Sequence, residues 1–222
     1  MKVLVACEES QAVCSAFRER GHEAYSCDLQ RCSGGHPEWH VREDALRLIN
    51  GDCVFVTEGG QRVEIKGEWD LIIAHPPCTY LSNAGACRLY PKKGQIDEER
   101  LKKGIRGKDF FMAFWYARCK RIAIENPVPS SVFCMPSPSQ TIQPYDFGEP
   151  YSKKTCLWLR GLPPLFSTEI MEKYRPFLPS GTGRKLGGET YGVAHDAKAR
   201  SKTFKGIAEA MAEQWGSIEE EP

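Results

Sequence analysis

The stretch "KVLVACEESQAVCSAFRERGHEAYSCD", Lys2 to Asp28, is the one on which the fold turns. Lys2 to Ala6 is a short β-branched apolar run, and Ala12, Val13, Ala16 and Phe17 then recur at the spacing of one helix face. Gly21 closes that helix as its C-cap, and "HEAYSCD" reads as a second strand ending on Asp28. Strand, helix and strand in so short a span make a βαβ unit, which implies a parallel, doubly wound sheet.

The same alternation continues outward. "WDLIIA" from Trp69 and "RIAIENP" from Arg121 read as buried strands, with the aromatic-rich "KDFFMAFWYARC" from Lys108 as a helix between them. "KKTCLWL", Lys153 to Leu159, is a further strand, and "SKTFKGIAEAMAEQWG", Ser201 to Gly216, is a capped helix with Ile207, Met211 and Trp215 on one stripe. In "DCVFVTEGGQRVEI" two strand-like arms flank Gly59 and Gly60, which reads as a hairpin insertion. Between the last strand and the last helix runs a Gly- and Pro-containing segment that includes "PSGTGRKLGGETYG". Loops of such length are functional or disordered. Phe110, Phe111, Phe114 and Trp115 read as core.

The bulk numbers agree with one globular domain: 222 residues, 41% hydrophobic and 27% charged. No apolar run approaches membrane-spanning length, and the N-terminal segment turns acidic at Glu8 and Glu9, unlike a signal peptide. A cytoplasmic protein is expected. Its ten cysteines are scattered without a CxxC pair, which favours reduced thiols over a disulfide framework. Net charge is +1, but Tyr151 to Ala210 holds eleven Lys or Arg against five Asp or Glu, so this third carries +6 and the remainder −5. A basic third suits phosphate contacts or, equally, a solvated lysine-rich face.

In an open α/β sheet, ligands bind outside the carboxyl ends of the strands, and four predicted strand ends carry unusual residues. The first runs into "ACEESQ", the second stops at Asp28, the next exits into "HPPC" and the fourth into "ENP". Asp28 stands where an acid accepts hydrogen bonds from ribose hydroxyls, or caps a turn; Asp44 suits an adenine amino group or a helix N-cap. Pro76 and Pro77 stiffen the turn that presents Cys78, which is a nucleophile or a structural thiol. Glu125 ends an apolar strand, and burial raises a carboxyl pKa, so it suits either an acid that holds a proton near neutral pH and offers it to a ring nitrogen or a carboxylate that caps a neighbouring backbone. His75 reads as a packed turn residue. Cys27, Cys32, His36 and His40 are capable zinc ligands, but their spacing matches no common zinc pattern and no metal is expected.

Together and in this order, Asp28, "HPPCTYLS", "IENP" and the final helix resemble the cytosine-C5 DNA methyltransferases, of the compact kind often encoded by bacteriophages, over nearly the whole chain. The resemblance implies a Rossmann-like class I methyltransferase fold in one domain spanning residues 1–222, with residues 160–200 as a reduced recognition region. It implies S-adenosylmethionine as cofactor, with Cys78 adding to cytosine C6, Glu125 at N3, Asn126 supporting the local backbone and Ser82 at the position of the family's following serine. Ala6, Glu8 and Ser10 in the first loop, with Asp28, Asp44 and Pro76, would face the cofactor. Lys92, Lys93, Lys153, Lys154, Arg184 and Arg200 would face a DNA substrate whose target base is flipped out or single-stranded. The basic segment "CRLYPKKGQIDEERLKKGIRGK" corresponds to the family's mobile catalytic loop.

Three departures accompany the match. The first loop lacks the family's glycines, proline replaces the usual valine after Glu125-Asn126, and the arginine-containing element is not recognisable. A small recognition region leaves little surface for reading base edges, so target selection is short, lax or supplied by a protein partner. The chain is expected to be a monomer. Alternatives are the same chemistry on a free cytidine nucleotide or RNA, a donor carrying a larger group, or a catalytically silent nucleic-acid-binding relative. An adenine-N6 enzyme is disfavoured because Cys78 stands where such enzymes favour an aromatic residue.

Overall fold

The computed structural model describes residues 1–179, 193–195 and 197–218. Strand β1 (Lys2–Ala6), helix α1 (Ala12–Glu19) and strand β2 (Glu23–Cys27) form the βαβ unit, with Gly21 just past the helix end. A two-residue β3 (His40–Val41) follows, then the hairpin β4 (Cys53–Val56) and β5 (Arg62–Ile65), then β6 (Leu71–Ala74). Beyond lie α2 (Asn83–Ala86), α3 (Glu98–Trp115), β7 (Ile122–Pro127), β8 (Gln140–Ile142), β9 (Tyr151–Ser152) and β10 (Thr155–Arg160). The chain continues through β11 (Arg175–Pro179), β12 (Val193–His195), α4 (Ala197–Ser201) and α5 (Lys205–Gly216).

Seven strands make the central sheet in the order β3-β2-β1-β6-β7-β10-β8. The pairs from β3 to β7 are parallel, and β10 runs antiparallel to both β7 and β8. This is the doubly wound, mostly parallel α/β sheet that the βαβ unit implied, with the hairpin insertion where the sequence places it. Alternation along the strands fills two cores. Leu4, Ala6, Ile72, Ala74, Ile122, Ile124 and Trp158 pack toward Phe111 and Phe114 of α3, while Val3, Val5, Leu71, Ile73, Ala123 and Leu157 pack toward Phe17 of α1 and Met211 and Trp215 of α5. The hairpin adds Phe55, Val63 and Ile65 to the first core, with the Phe55 ring edge-on to Tyr25 at 5.2 Å.

Two boundaries differ from expectation. Helix α3 starts at Glu98 rather than Lys108, so the second half of the supposed catalytic loop is helical; Asp97 caps it by accepting from the Arg100 N–H at 2.9 Å. Its first turns are polar and largely exposed, so no apolar stripe marks them, yet Gly104 sits flush against the Phe133 ring. The final helix is split: α4 ends at Ser201 and α5 begins at Lys205, with no side-chain cap. Phe204 interrupts it in an extended conformation, its ring packed 4.9 Å from Phe177 and 5.8 Å from Tyr151.

Candidate active site

The chain leaves β1 in one direction toward β2 and β3 and returns to its other side with β6 and β7. The strand order therefore reverses beside β1, and a crevice is expected outside the carboxyl ends of β1 and β6. His75 to Cys78 leave β6 at this edge, and Glu125 and Asn126 lie in the last turns of β7. Because β10 is antiparallel, its beginning rather than its end arrives there, with Thr155 opposite Pro127 and Lys153 just before it.

The turn after β6 is tied down on both sides. The His75 N–H prolongs the ladder by donating to the Ala6 carbonyl at 2.9 Å, and the buried Asn126 amide donates to the Pro76 carbonyl at 3.0 Å. Asn126 thus satisfies the Pro76 carbonyl and ties the Pro-Pro turn, which has no N–H donors of its own at Pro76 and Pro77, to β7. Past Cys78 the chain curls, with the Leu81 and Ser82 N–H groups donating to the Cys78 carbonyl at 3.1 and 3.0 Å. Ser82 is buried and its hydroxyl accepts from the Gly85 N–H at 3.2 Å, so in this structure it stabilises the turn into α2. Arg100 reaches back from α3 to the carbonyls of Gly85 and Thr79 and lies 4.9 Å over the Tyr80 ring. Any Cβ at Gly85 would stand 2.1 Å from the Thr79 carbonyl oxygen, which is why this tight loop holds glycine there.

At the centre, His75 Nδ1 lies 2.9 Å from Glu125 Oε2, with side chains only 9% and 13% exposed. Burial alone would raise the Glu125 carboxyl, but the hydrogen bond and charge of His75, helped by Lys153, outweigh it and hold the group below its ordinary value. This corrects the expectation of a carboxyl protonated by burial. For His75 burial works the other way, and Glu125 and Glu8 outweigh it to raise the imidazole. The Cys78 thiol is half-buried; burial and then the Glu125 charge push its pKa up, against the smaller pull of Lys153 and Arg200. At rest it is therefore a thiol rather than a thiolate.

At the β1 and β2 ends the first loop takes the shape of a glycine-rich turn without the glycines: Cys7 and Gln11 both adopt left-handed φ of 60°. Gln11 is fully buried and satisfied, donating to Ser26 Oγ at 3.2 Å and the His36 carbonyl at 2.9 Å while accepting from the Cys32 thiol and the His36 N–H. Gly34 lies so close to it that an added Cβ would be 2.6 Å from the Gln11 Cβ. Glu9 accepts from the Ser33 hydroxyl, which further straps the loop after β2 onto the loop after β1. Glu8, predicted to face a cofactor, is buried and accepts from the Val13 and Cys14 N–H groups at 2.7 and 3.2 Å, so it occupies the N-terminus of α1 itself. Ala6 is buried with its carbonyl taken by His75, whereas Ser10 is partly exposed. Asp28 and Asp44 each accept one backbone N–H, from Gln30 at 2.8 Å and Leu46 at 3.0 Å, and both charges reach the Cys7 thiol.

On the substrate side a hollow is lined by Glu125, Lys153, Thr155, Lys202, Thr203, Phe204 and Ile207. Lys153 Nζ donates to the Arg200 carbonyl at 2.7 Å and stands 5.7 Å from the Phe204 ring. Arg200 Nε is buried without a partner among the described residues. Pro76, Cys78, Glu125, Asn126, Lys153 and Arg200 are thus brought together, whereas Lys92, Lys93 and Lys154 stand exposed and Arg184 lies outside the described residues. Sequence reasoning missed His75 as the partner of Glu125, and it missed Thr155 and Phe204 in the hollow. The only signal for His75 was its place one residue past a strand beside the strand of Glu125. The supposed zinc ligands are engaged separately: His40 with Ser26 and Gln30, Cys32 with Gln11, Cys27 with the Glu43 carbonyl and His36 stacked on Trp39 at 3.9 Å.

No family model matches the chain, and no curated protein matches it. Solved structures do resemble it. A DNA modification methyltransferase encoded within an E. coli prophage is 13% identical, with a TM-score of 0.40 over 72% of this chain and 46% of that one. A triple mutant of Spodoptera frugiperda DNMT2 is 16% identical, with a TM-score of 0.34 over 87% of this chain and 57% of that one. The chain thus spans about half the length of either, and the fold assignment rests on its own strand order and registers.

Proposed function

We propose that this protein transfers a methyl group from S-adenosylmethionine to C5 of cytosine in DNA. The observation that carries the reading is the pairing, across adjacent parallel strand ends, of a rigidly presented thiol at Cys78 with a buried carboxyl at Glu125, locked together by the bond from Asn126 to Pro76. Attack at C6 needs a soft nucleophile at the ring edge and a proton at N3 to take up the charge that addition sends into the ring; Glu125 rests ionised, so in this reading it takes up that proton as the base binds, and the Cys78 thiol gives its own proton to water. The bond from sulfur to C6 forms as the C5–C6 double bond opens, which makes C5 nucleophilic. After methylation, water takes the C5 proton, the electron pair re-forms the C5–C6 double bond, and Cys78 leaves as thiolate. Lys153 and Arg200 are the cations that favour thiolate formation, because the resting thiol is held protonated by burial and by the Glu125 charge.

S-adenosylmethionine, when bound, supplies the electrophilic methyl group. Asp28 and Asp44 fit its adenosyl half: Asp28 lies past β2 and Asp44 past β3, each with one oxygen engaged by backbone and with its charge reaching Cys7 beyond β1. Glu8 is not a ligand in this reading; it fills the helix N-terminus that an anionic group would otherwise use. Phe204 and Thr155 beside Glu125 form a wall against which a flipped base stacks.

The test is intact-protein mass spectrometry after incubation with S-adenosylmethionine and a 5-fluorocytosine oligonucleotide. Fluorine at C5 blocks the final proton loss, so a covalent adduct is expected in the wild type and none in Cys78→Ser. Methyl incorporation into mononucleotide or RNA but not DNA would move the substrate to those classes. Absence of adduct and of methyl transfer to any of them, with DNA binding retained, would replace the reading by a silent binding protein.

A further inference from the structure

We propose that His75 is a positioning residue for Glu125: it fixes the carboxyl through Oε2, leaves Oε1 for the substrate ring, and keeps beside it the proton on which the strength of that ring contact depends. The inference rests on the cytosine-C5 reading above and assigns a role to a residue outside the motif that suggested it. Geometry carries it. His75 Nδ1 is 2.9 Å from Oε2, the backbone of His75 is itself fixed to Ala6, and both side chains are almost wholly buried. The contact restrains the carboxyl, and with Lys153 also near, Glu125 lines the hollow together with Thr155 and Phe204.

The charged groups around His75 come from three elements: Glu125 on β7, Glu8 on the loop after β1, and Lys153 ahead of β10. Two carboxylates against one ammonium favour the imidazolium. The second ring nitrogen, Nε2, is buried and has no hydrogen-bond partner among the described residues. An unpartnered buried nitrogen is costly, and its retention next to a buried acid is the kind of local violation expected at a functional site rather than in a core. A merely structural filler at this turn would not need an ionisable ring.

Three variants and two readouts test this. Methyl transfer to cytosine DNA is measured from about pH 5 to 9 in wild type, His75→Gln and His75→Asn; the amides keep a donor but cannot hold the extra proton. The wild-type rate is expected to fall on the alkaline side as His75 loses its proton. His75→Gln is expected to lose that limb, with kcat lower by about 10- to 100-fold and KM for DNA within about twofold. Unchanged kcat and an unchanged pH profile in both amide variants would overturn the proposal. Independently of activity, the imidazole of His75 is titrated by NMR in wild type and in Glu125→Gln. A titration above that of an ordinary histidine, dropping in Glu125→Gln, is expected. An unshifted wild-type titration overturns the pair whatever the substrate. Failure of methyl transfer in wild type with the titration shift intact would instead remove the cytosine reading and leave the pair standing.

Discussion

Glu8 and Glu125 are two buried carboxyls at the same edge of the same sheet, and their pKa values move in opposite directions. Burial pushes both up. Glu8 meets the charge of His75 and two backbone N–H groups, which together are not enough, and it remains raised. Glu125 meets an imidazole nitrogen at 2.9 Å and ends lowered. Depth of burial does not set the charge of a buried acid; the partner in direct contact does. The same contrast separates roles. Glu8 spends both oxygens on the first turn of α1 and is closed to ligands, whereas Glu125 spends one on His75 and borders the hollow.

The widest separation between the two acids is expected in activity. Glu125→Gln should slow methyl transfer by about 10²- to 10⁴-fold, as for loss of a general acid, an effect on the chemical step larger than the stability lost with the ion pair. A rate within threefold of wild type would remove Glu125 from the chemistry.

Glu8→Ala should do the reverse, lowering stability by about 1–3 kcal/mol in urea unfolding because two buried helix N–H groups lose their acceptor. If it unfolded like wild type, the cap would be ornamental.

A third test uses pH and the sign of each shift. Glu125 is held below its unfolded value of about 4.3, so its stabilising contribution is complete above that pH and is lost as pH falls through the lower folded value. His75 is held above its unfolded value of about 6.5, so its contribution is complete below that pH and is lost as pH rises through the higher folded value. The pair thus stabilises most between these limits, and Glu125→Gln should flatten both flanks. Glu8, raised, has the opposite slope: its contribution is best at acid pH and declines as pH rises above about 4.3. Unfolding measured across pH in wild type and both variants separates the two curves.

The smallest effect is expected at the cofactor side. Asp28→Asn should weaken S-adenosylmethionine binding by about tenfold in calorimetry, the worth of one charged hydrogen bond. Equal affinity in both proteins would detach Asp28 from the ribose.

Much of this architecture was legible in the chain. The β-branched run at Lys2–Ala6, the helical spacing from Ala12 to Phe17 and the apolar runs before His75 and Glu125 are local patterns, and local patterns report on elements whose burial is uniform. The first ten residues of α3 were hidden because they are mostly polar and exposed and meet the core through Gly104 rather than through an apolar stripe, and the split of the final helix was hidden because the Phe204 ring answers to Tyr151 and Phe177 rather than to its neighbours in sequence. The direction of β10 was equally invisible, and with it the arrival of Thr155 and Lys153 beside Glu125.

Local patterns in the chain therefore specify β1, β2, the hairpin, β6, β7 and β10, and place a thiol and two acids at strand ends, whereas the short strands β3, β8, β9, β11 and β12 carry no pattern of their own. Which acid is sealed and which is poised depends on contacts made in the fold. His75 and Glu125 are fifty residues apart in the chain, and they meet because β6 and β7 lie side by side and in parallel, so that the residues just past one strand and in the last turn of the other share one edge. No local pattern encodes a contact of that range, and the charge on Glu125 follows from that contact.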